Sequence, residues 1–449
     1  MAIPPPQARS WLKAASSFAD GSDTPRAFLD RCIAAIEAQD GEIGAFVTTN
    51  FEGARAAADA ATERWKSGKT LSSIDGMPIG IKDIMQTADM PTEQGSPLFK
   101  GWTGGIDSAG VAALREAGAV IVGKTVTTEF AATHPGGTRN PWDLDRTPGG
   151  SSSGSAAAVA AGMLPTALGT QVIGSTIRPA SFCGVFGYKP SAGGINRGGN
   201  FDEFSQSCTG TLAATLAEAW IVAREMSKRA GGDPGYVGLI GPMTLPPAKM
   251  PGRVALLRTD GWEKASAGAK AELQRARDAM ASAGIGVGDR TSDPAIEAAE
   301  KSLAGAMPLS MSINAWEGRW PLNTLARDMD RAGLSESAIG RLDQANAMSQ
   351  EEFAELLSRR NAVRASYAAL SGKFDLCVTL AASGAAPEGL GWTGDPSFVV
   401  PGSLLGVPAI SLPVLQDEKL PLGLQLLGFA DRDADLFAAA GGILPLFEP

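Results

Sequence analysis

The chain has 449 residues, of which 39 are Lys or Arg, 48 are Asp or Glu and one is His, giving a net charge of −9. A hydrophobic share of 44% with 19% charged residues is typical of a folded chain with a large core. The acidic balance argues against a nucleic-acid partner, because such binding depends on Lys and Arg to neutralise phosphates. The single histidine, His134, excludes any metal site built on two or three histidines.

Four cysteines stand far apart, at positions 32, 183, 208 and 377, and none belongs to a CxxC pair. This spacing favours reduced thiols in a cytoplasmic protein over a zinc site or a disulfide framework. The most apolar segment, 156–168, falls short of the ~20 apolar residues of a membrane span, and the first residues lack the pattern of a signal peptide. We therefore predict a cytoplasmic protein without a membrane partner.

Apolar periodicity predicts the elements of the first half of the chain. Two helices are expected between about 22 and 66, followed by a short apolar strand at 77–84. A helix at 111–117 and a buried strand at 119–122 come next. The Gly/Ser-rich stretch 149–189 predicts a loop, an Ala-rich helix, a second polar loop and the start of another helix.

The second half begins with a Gly/Pro-rich connector at 230–253. A strand at 254–257 and a helix at about 267–283 follow, and the last part returns to short strands. Strands and helices alternate towards both ends, and there is no internal repeat. The pattern therefore predicts a single large α/β domain over 1–449, with a mainly helical excursion near 290–370.

Two short motif matches fail on physical grounds. Residues 118–125 match the Walker A expression, but their apolar middle favours a buried strand over a phosphate-binding loop. Residues 150–154 match the GxSxG nucleophile elbow, which needs a preceding strand and a later histidine that the chain lacks. His134 lies in a turn-like stretch, where a structural or pocket-lining role is favoured over a catalytic one. Acyl transfer by this chain would therefore need a base other than histidine.

The remaining candidate base is a lysine made neutral by burial, since desolvation lowers the pKa of an ammonium group. Lys82 fits best, because apolar residues surround it in a predicted strand. The alternative, a lysine paired with Asp83 or another carboxylate at a strand end, carries equal weight on these residues alone. Two Gly/Ser-rich loops, at 147–154 and 168–176, each precede a predicted helix and free backbone N–H groups for an oxyanion hole or an anion site.

Three long motifs occur in order along the chain. They are Gly-Met-Pro-Ile-Gly-Ile-Lys-Asp at 76–83, the stretch 149–162 that begins Gly-Gly-Ser-Ser-Ser-Gly-Ser, and the stretch 169–191 that begins Gly-Thr-Gln-Val-Ile-Gly-Ser-Thr-Ile-Arg-Pro-Ala. Together with apolar segments near the C-terminus, they resemble the amidase signature family over nearly the whole chain. The Gln-containing third motif is most similar to malonamidase-type bacterial amidases. The resemblance implies a mixed, twisted sheet flanked by helices on both faces.

The resemblance also implies a Ser–cisSer–Lys triad. By motif position, Ser175 is the acyl-forming nucleophile, Ser151 is the bridging serine after a cis peptide bond, and Lys82 is the base. The oxyanion is expected to face the backbone N–H groups of Val172, Ile173, Gly174 and Ser175.

The third motif departs from the GTDTGGSIR spelling of many family members. Gln171 stands in place of Asp, Ile173 in place of Gly, and the arginine lies one position later, as Arg178. Arg178 either binds a substrate carboxylate, as the malonamidase-like resemblance suggests, or pairs with an acidic residue under the helix start. Ala131 and Thr133 are expected to line the substrate pocket, as are residues 392–395.

We therefore predict an amidase that hydrolyses the C–N bond of a small carboxylic amide through an acyl-enzyme on Ser175, without a cofactor or metal. Two alternatives stay open. One is the A subunit of a tRNA-dependent amidotransferase, which would release ammonia from glutamine and require partner subunits. The other is a catalytically silent binding protein. The expected partner is a small-molecule amide, and the oligomeric state, a homodimer included, stays open.

Overall fold

The computed structural model describes residues 6–202 and 204–447. Within them, one sheet contains eleven strands in the spatial order β1-β3-β2-β4-β6-β5-β10-β11-β9-β7-β8. In chain order these strands are β1 Phe46–Thr49, β2 Pro78–Lys82, β3 Val120–Thr125, β4 Thr166–Gln171, β5 Phe186–Lys189, β6 Cys208–Ala213, β7 Arg253–Leu256, β8 Gly286–Gly288, β9 Leu376–Leu380, β10 Ala409–Asp417 and β11 Leu420–Leu427.

The α-helices of the described residues connect and cover these strands. They are α1 Trp11–Ala15, α2 Pro25–Ile43, α3 Phe51–Lys66, α4 Ala109–Glu116, α5 Ser153–Ala160, α6 Ile177–Cys183, α7 Leu216–Ala230, α8 Ala267–Ser282, α9 Pro294–Leu303, α10 Ala306–Glu317, α11 Arg319–Asp328, α12 Glu336–Ala347, α13 Gln350–Ala368, α14 Val400–Leu405 and α15 Asp433–Ile443. None of them is long and apolar enough to cross a membrane.

The sheet is mixed, as the resemblance implies. Strand β2 runs parallel to both β3 and β4, whereas β4 pairs with β6 in the antiparallel direction. Strands β5 and β10 then join the N-terminal and C-terminal parts of the sheet through an antiparallel pair. The predicted fold class, a large α/β domain with helices around a mixed sheet, is confirmed. Helices α9–α13 occupy 294–368, and the limits of a domain at 1–449 stay a prediction.

Strands β1 and β4 are among those that the sequence did not predict. Strand β1 lies between the two predicted helices, after α2 ends at Gly44 in the left-handed conformation with φ 65°. Its four residues alternate between half-buried and exposed, and so few give a weak periodic signal. Strand β4 is fully buried but has the small, mixed sequence Thr-Ala-Leu-Gly-Thr-Gln. The predicted polar loop before α6 therefore begins at 172 and not at 168, because residues 168–171 pair with β6.

The topology brings the three motifs together. The first motif contains β2 and ends just after it. The third motif begins in the neighbouring parallel strand β4 and continues beyond its last residue. The ends of both strands therefore lie at one edge of the sheet. The second motif forms the loop before α5 and continues into α5, which packs against β2, β3, β4 and β6. The three motifs are thus neighbours in space although about 100 residues separate the first from the last.

Candidate active site

Lys82 is the last residue of β2, a strand with all five residues buried. Its Nζ lies 2.7 Å from Ser151 Oγ and 2.8 Å from Thr170 Oγ1. Nζ also lies 3.5 Å from the backbone carbonyl oxygen of Thr170. The structure therefore places the predicted base in direct contact with the predicted bridging serine.

The environment of Lys82 favours the neutral amine. Burial lowers the pKa of Lys82 to about 7, and the negative charge of Asp202 acts in the opposite direction. Asp202 is itself fully buried, and burial raises the pKa of its carboxyl group. The alternative that Lys82 pairs with Asp83 is wrong, because Asp83 Oδ1 forms its ion pair with Lys124 Nζ, at 3.0 Å.

Lys124 belongs to the stretch that matches the Walker A expression. The structure places residues 120–125 in the fully buried strand β3, as the sequence analysis prefers. Lys124 Nζ donates to Thr92 Oγ1 at 2.7 Å and to the carbonyl oxygen of Pro91 at 3.1 Å, besides its pair with Asp83. The ammonium group of Lys124 therefore donates to partners within the protein.

Ser151 follows a cis peptide bond from Gly150, as the resemblance implies. Backbone hydrogen bonds tie its loop to its neighbours: the N–H of Thr128 donates to the Ser151 carbonyl at 3.3 Å, and the N–H of Ser152 donates to the Ser175 carbonyl at 3.2 Å. The two serine loops are thus joined directly. Among the hydrogen bonds of residues 6–202 and 204–447, none connects the hydroxyls of Ser151 and Ser175.

The loop between β4 and α6 presents a row of backbone donors. The N–H groups of residues 172–175 form no hydrogen bond to any backbone or side-chain acceptor in the described part of the chain. Ser175 is 7% exposed, so this row borders the cavity rather than bulk water. Free, adjacent N–H groups before a helix can stabilise an oxyanion.

Gln171 holds this loop in place. Its side-chain oxygen accepts from the N–H groups of Thr176 and Ile177, each at 3.0 Å, and so caps the start of α6. Its side-chain nitrogen donates to Ser403 Oγ at 3.1 Å, and Ser403 Oγ donates to the Ile173 carbonyl at 3.0 Å. Gln171 therefore fixes the loop through both ends of its side-chain amide. Ile173 lies outside the residues with positive φ, so this position does not require glycine.

Arg178 supports the neighbouring serine loop. Its Nη2 donates to the Gly150 carbonyl at 2.8 Å and to Thr393 Oγ1 at 3.0 Å. Burial lowers the pKa of this guanidinium to about 10, and Asp395 opposes the effect through its charge. The structural partners are therefore a carbonyl and a hydroxyl, not the acidic residue that the sequence analysis considered, and the carboxylate-binding role of Arg178 stays a proposal.

A cavity of about 150 Å³ lies beside Ser175. The expected pocket residues Ala131 and Thr133 lie in its lining, as do Trp392 and Thr393 from the expected stretch 392–395. His134, the next residue after Thr133, is exposed. The cavity is closed by residues that the sequence analysis did not include, Phe204, Met307, Met311, Asn314 and Arg341.

Sequence analysis also missed three polar residues of the site. Thr170 is the threonine of the Gly-Thr-Gln run in the third motif, and its place in that motif was the available signal. Asp202 and Arg341 carry no such signal, because only the tertiary fold brings the loop before β6 and helix α12 to the cavity.

A buried lysine, two serines and a row of free N–H groups are the groups that serine-dependent acyl transfer without an imidazole would require. The family described as Amidase matches residues 27–437, and the chain belongs to this family. The predicted resemblance is therefore confirmed at the level of the family, and so is the prediction of an amidase-class enzyme. The finer likeness to malonamidase-type members stays a prediction.

The chain is similar to a curated relative over part of its sequence and to solved structures over nearly its whole length. The chain is 44% identical over 216 residues to the A subunit of glutamyl-tRNA(Gln) amidotransferase from Anaeromyxobacter sp. (strain K), a match that covers 46% of this chain and 43% of the relative. The chain therefore spans under half the length of this curated relative. A solved amidase structure superimposes with a TM-score of 0.82 at 26% identity, covering 97% of this chain and 99% of the other.

A second solved structure comes from work on a vestigial protein complex and the evolutionary origins of an s-triazine catabolic enzyme. It superimposes with a TM-score of 0.85 at 25% identity, covering 97% of this chain and 98% of the other. The whole described fold is thus similar to solved structures, whereas the curated relative matches only part of the sequence.

Proposed function

We propose that the protein hydrolyses the C–N bond of a small carboxylic amide through an acyl-enzyme on Ser175. In the first half-reaction, Ser175 Oγ attacks the amide carbonyl and forms a bond to its carbon, while the hydroxyl proton of Ser175 passes to Ser151 and that of Ser151 passes to neutral Lys82. The N–H groups of residues 172–175 stabilise the oxyanion.

The relay then returns a proton to the departing nitrogen, and the C–N bond breaks to leave an ester on Ser175. A water molecule attacks this ester with the same groups as base and acid, and the acid product leaves. No cofactor enters either half-reaction.

The contact between Lys82 and Ser151 carries this proposal. A lysine with Nζ 2.7 Å from a serine hydroxyl and a pKa of about 7 is neutral in a large share of molecules at physiological pH, so it can accept a proton there. The four unused N–H groups next to Ser175 support the same mechanism from the oxyanion side.

Removal of the nucleophile tests the proposal. Ser175→Ala is expected to abolish both amide hydrolysis and the mass increase caused by a fluorophosphonate. Ser181→Ala is the matched control, since Ser181 lies further along α6, is buried and accepts only a structural hydrogen bond from the Gly423 N–H at 2.8 Å. Retained labelling of Ser175→Ala would contradict the nucleophile assignment, and an unlabelled wild type would favour the silent binding protein.

A glutaminase component of a tRNA-dependent amidotransferase is the second candidate function, favoured by the 44% identity to the curated relative. It requires turnover of glutamine and partner subunits. Glutamine and a panel of simple amides should therefore be compared as substrates of the purified chain. Turnover of simple amides but not of glutamine supports the stand-alone amidase, and the opposite preference supports the amidotransferase component.

The cytoplasmic location is retained as part of the proposal. It rests on the four cysteines, all of which are free and buried.

A further inference from the structure

Two arginine side chains, the buried Arg178 and the half-buried Arg341, line the cavity beside Ser175, although the chain as a whole carries a net charge of −9. Arg178 reaches the cavity from α6, and Arg341 reaches it from α12. Most of the remaining lining is apolar, with Phe130, Phe204 and Met307 among its members. Positive charge concentrated in a mostly apolar cavity of an acidic protein is suited to an anionic ligand group.

The two arginines differ in their partners. Arg178 already donates to a carbonyl and a hydroxyl of the protein. Arg341 has no ion-pair partner and donates no hydrogen bond within the two described stretches, and its Nε, like that of Arg178, is enclosed without an acceptor. Burial lowers the pKa of the Arg341 guanidinium, whereas the charge of Glu129 raises it.

Glu129 does not serve as the direct partner of Arg341. Its carboxylate accepts from the backbone N–H of Ser335 at 3.2 Å, from the Ser335 hydroxyl and from Ser96 Oγ at 3.5 Å. Because the enclosed Nε of Arg341 has no acceptor among the described residues, an anion bound in the cavity would supply one.

Packing fixes the position of Arg341. Ala338 and Leu342, on the same helix, are buried in a small cluster with Leu322 and Leu334, and Phe130 packs against this cluster. Phe130 also lines the cavity. The helix that carries Arg341 is thereby held against the cavity wall, which favours a preorganised contact over a mobile surface charge.

A second cavity, of about 280 Å³, lies next to the first. The two cavities share Phe130, Phe204 and Arg341, so the side chain of Arg341 lies between them. The rest of the second lining is rich in aromatic side chains, including those of Phe99, Phe201 and Trp320. An aromatic or other apolar group next to a carboxylate bound by Arg341 has these side chains as neighbours.

We propose that Arg341 binds a carboxylate of the substrate, and that the substrates are amides carrying both a carboxylate and an aromatic or other apolar group. The planar guanidinium can hold a carboxylate through two parallel N–H bonds, while the apolar group occupies the second cavity. The amide in this statement rests on the proposed function, but the carboxylate contact is a binding property that can be measured without turnover.

Binding to a non-hydrolysing protein tests the contact. In the Ser175→Ala background, calorimetry compares 3-phenylpropanoate with its neutral amide, with and without Arg341→Met, which keeps an unbranched side chain and removes its charge. We expect Arg341→Met to weaken binding of the acid at least tenfold, which is the lower end of the loss for a hydrogen bond to a charged group. Binding of the amide should stay unchanged. Equal weakening of both ligands, an unchanged affinity for the acid, or no binding of the acid before the substitution would each overturn the proposal.

Turnover gives the second readout. Wild type and Arg341→Met are compared on N-acetylphenylalanine and on N-acetyl-2-phenylethylamine, which lacks the carboxylate. We expect Arg341→Met to raise KM for the acidic substrate at least tenfold, with partial recovery in Arg341→Lys, and to leave the neutral substrate unchanged. Arg331→Met is the matched control, since Arg331 is half-exposed and lies 3.9 Å from Asp343. An equal KM increase for both substrates contradicts the carboxylate contact, whereas a wild type inactive on every amide contradicts the proposed function and leaves the calorimetric test in force.

Discussion

Two fully buried lysines lie on neighbouring parallel strands of this sheet and have opposite surroundings. Lys124 on β3 has a carboxylate, Asp83, at 3.0 Å, and its other donors reach a carbonyl and a hydroxyl. Lys82 on β2 instead contacts the hydroxyls of Ser151 and Thr170, with the charge of Asp202 acting from further away. Burial lowers the pKa of both ammonium groups, and the direct ion pair with Asp83 opposes this effect for Lys124.

This difference shows what separates a structural lysine from a base. Both side chains are equally removed from water, so burial alone does not distinguish them. A carboxylate in contact favours the charged ammonium and uses its donors, whereas hydroxyl neighbours leave a neutral amine free to take a proton. On this account the chemistry depends on Lys82, and Lys124 contributes to the stability of the fold.

The largest expected effect comes from Lys82→Met, which removes the base. Removal of a general base costs about 10²–10⁴-fold in rate, so we expect kcat to fall by that range while the protein stays folded. The measurement is amide turnover, together with far-ultraviolet circular dichroism to confirm folding. Lys124→Met is the matched control, and the fraction of it that folds should retain turnover. Comparable turnover in folded Lys82→Met and wild type would remove Lys82 as the base.

The next effect concerns stability. Asp83→Asn leaves the buried ammonium of Lys124 without its carboxylate, so we expect the free energy of unfolding to fall by about 3–5 kcal/mol. Urea unfolding monitored by tryptophan fluorescence measures this change. Asp59→Asn, at an exposed ion pair with Arg26, serves as the control and should change the free energy by less than about 1 kcal/mol. Similar losses in the two variants would contradict the structural role of the Lys124–Asp83 pair.

The smallest effect is on the pH profile. The mechanism needs Lys82 in its neutral form, so kcat/KM should fall as the pH drops through about 7, the pKa of Lys82 in the fold. The charge of Asp202 raises this pKa, and Asp202→Asn should therefore move the acid limb of the profile to lower pH. Asp289, a buried carboxylate that accepts from the N–H and hydroxyl of Thr291, provides the control variant Asp289→Asn. An acid limb that stays in place or moves to higher pH in Asp202→Asn would show that Asp202 does not act on the base.

The sequence was most informative where chemistry is concentrated in continuous motifs. The three motifs led to Lys82, Ser151 and Ser175, and the apolar run at 120–122 correctly predicted a strand where the Walker expression suggested a loop. The local sequence could not decide whether Lys82 is a base or the ion-pair partner of Asp83. It depends on Lys124, which reaches Asp83 only because β2 and β3 are adjacent in the sheet.

Other parts of the site arise from contacts between distant segments. Ser403 supports the Ile173 carbonyl from α14, and Arg341 enters the cavity from α12. Neither residue has a neighbouring pattern in the sequence that indicates a site, because each lies in an ordinary helix. Strand β4 was missed for a different reason: its burial comes from the strands on both sides and not from an apolar sequence of its own.

The protonation state of Lys82 tests the central claim most directly. Lysine labelled with ¹⁵N at Nζ allows its titration to be followed by nuclear magnetic resonance, and the signal absent from Lys82→Met identifies the residue. The account predicts a midpoint near pH 7, well below the ordinary 10.5. A midpoint near the ordinary value would leave Lys82 charged at neutral pH and would contradict its role as the base.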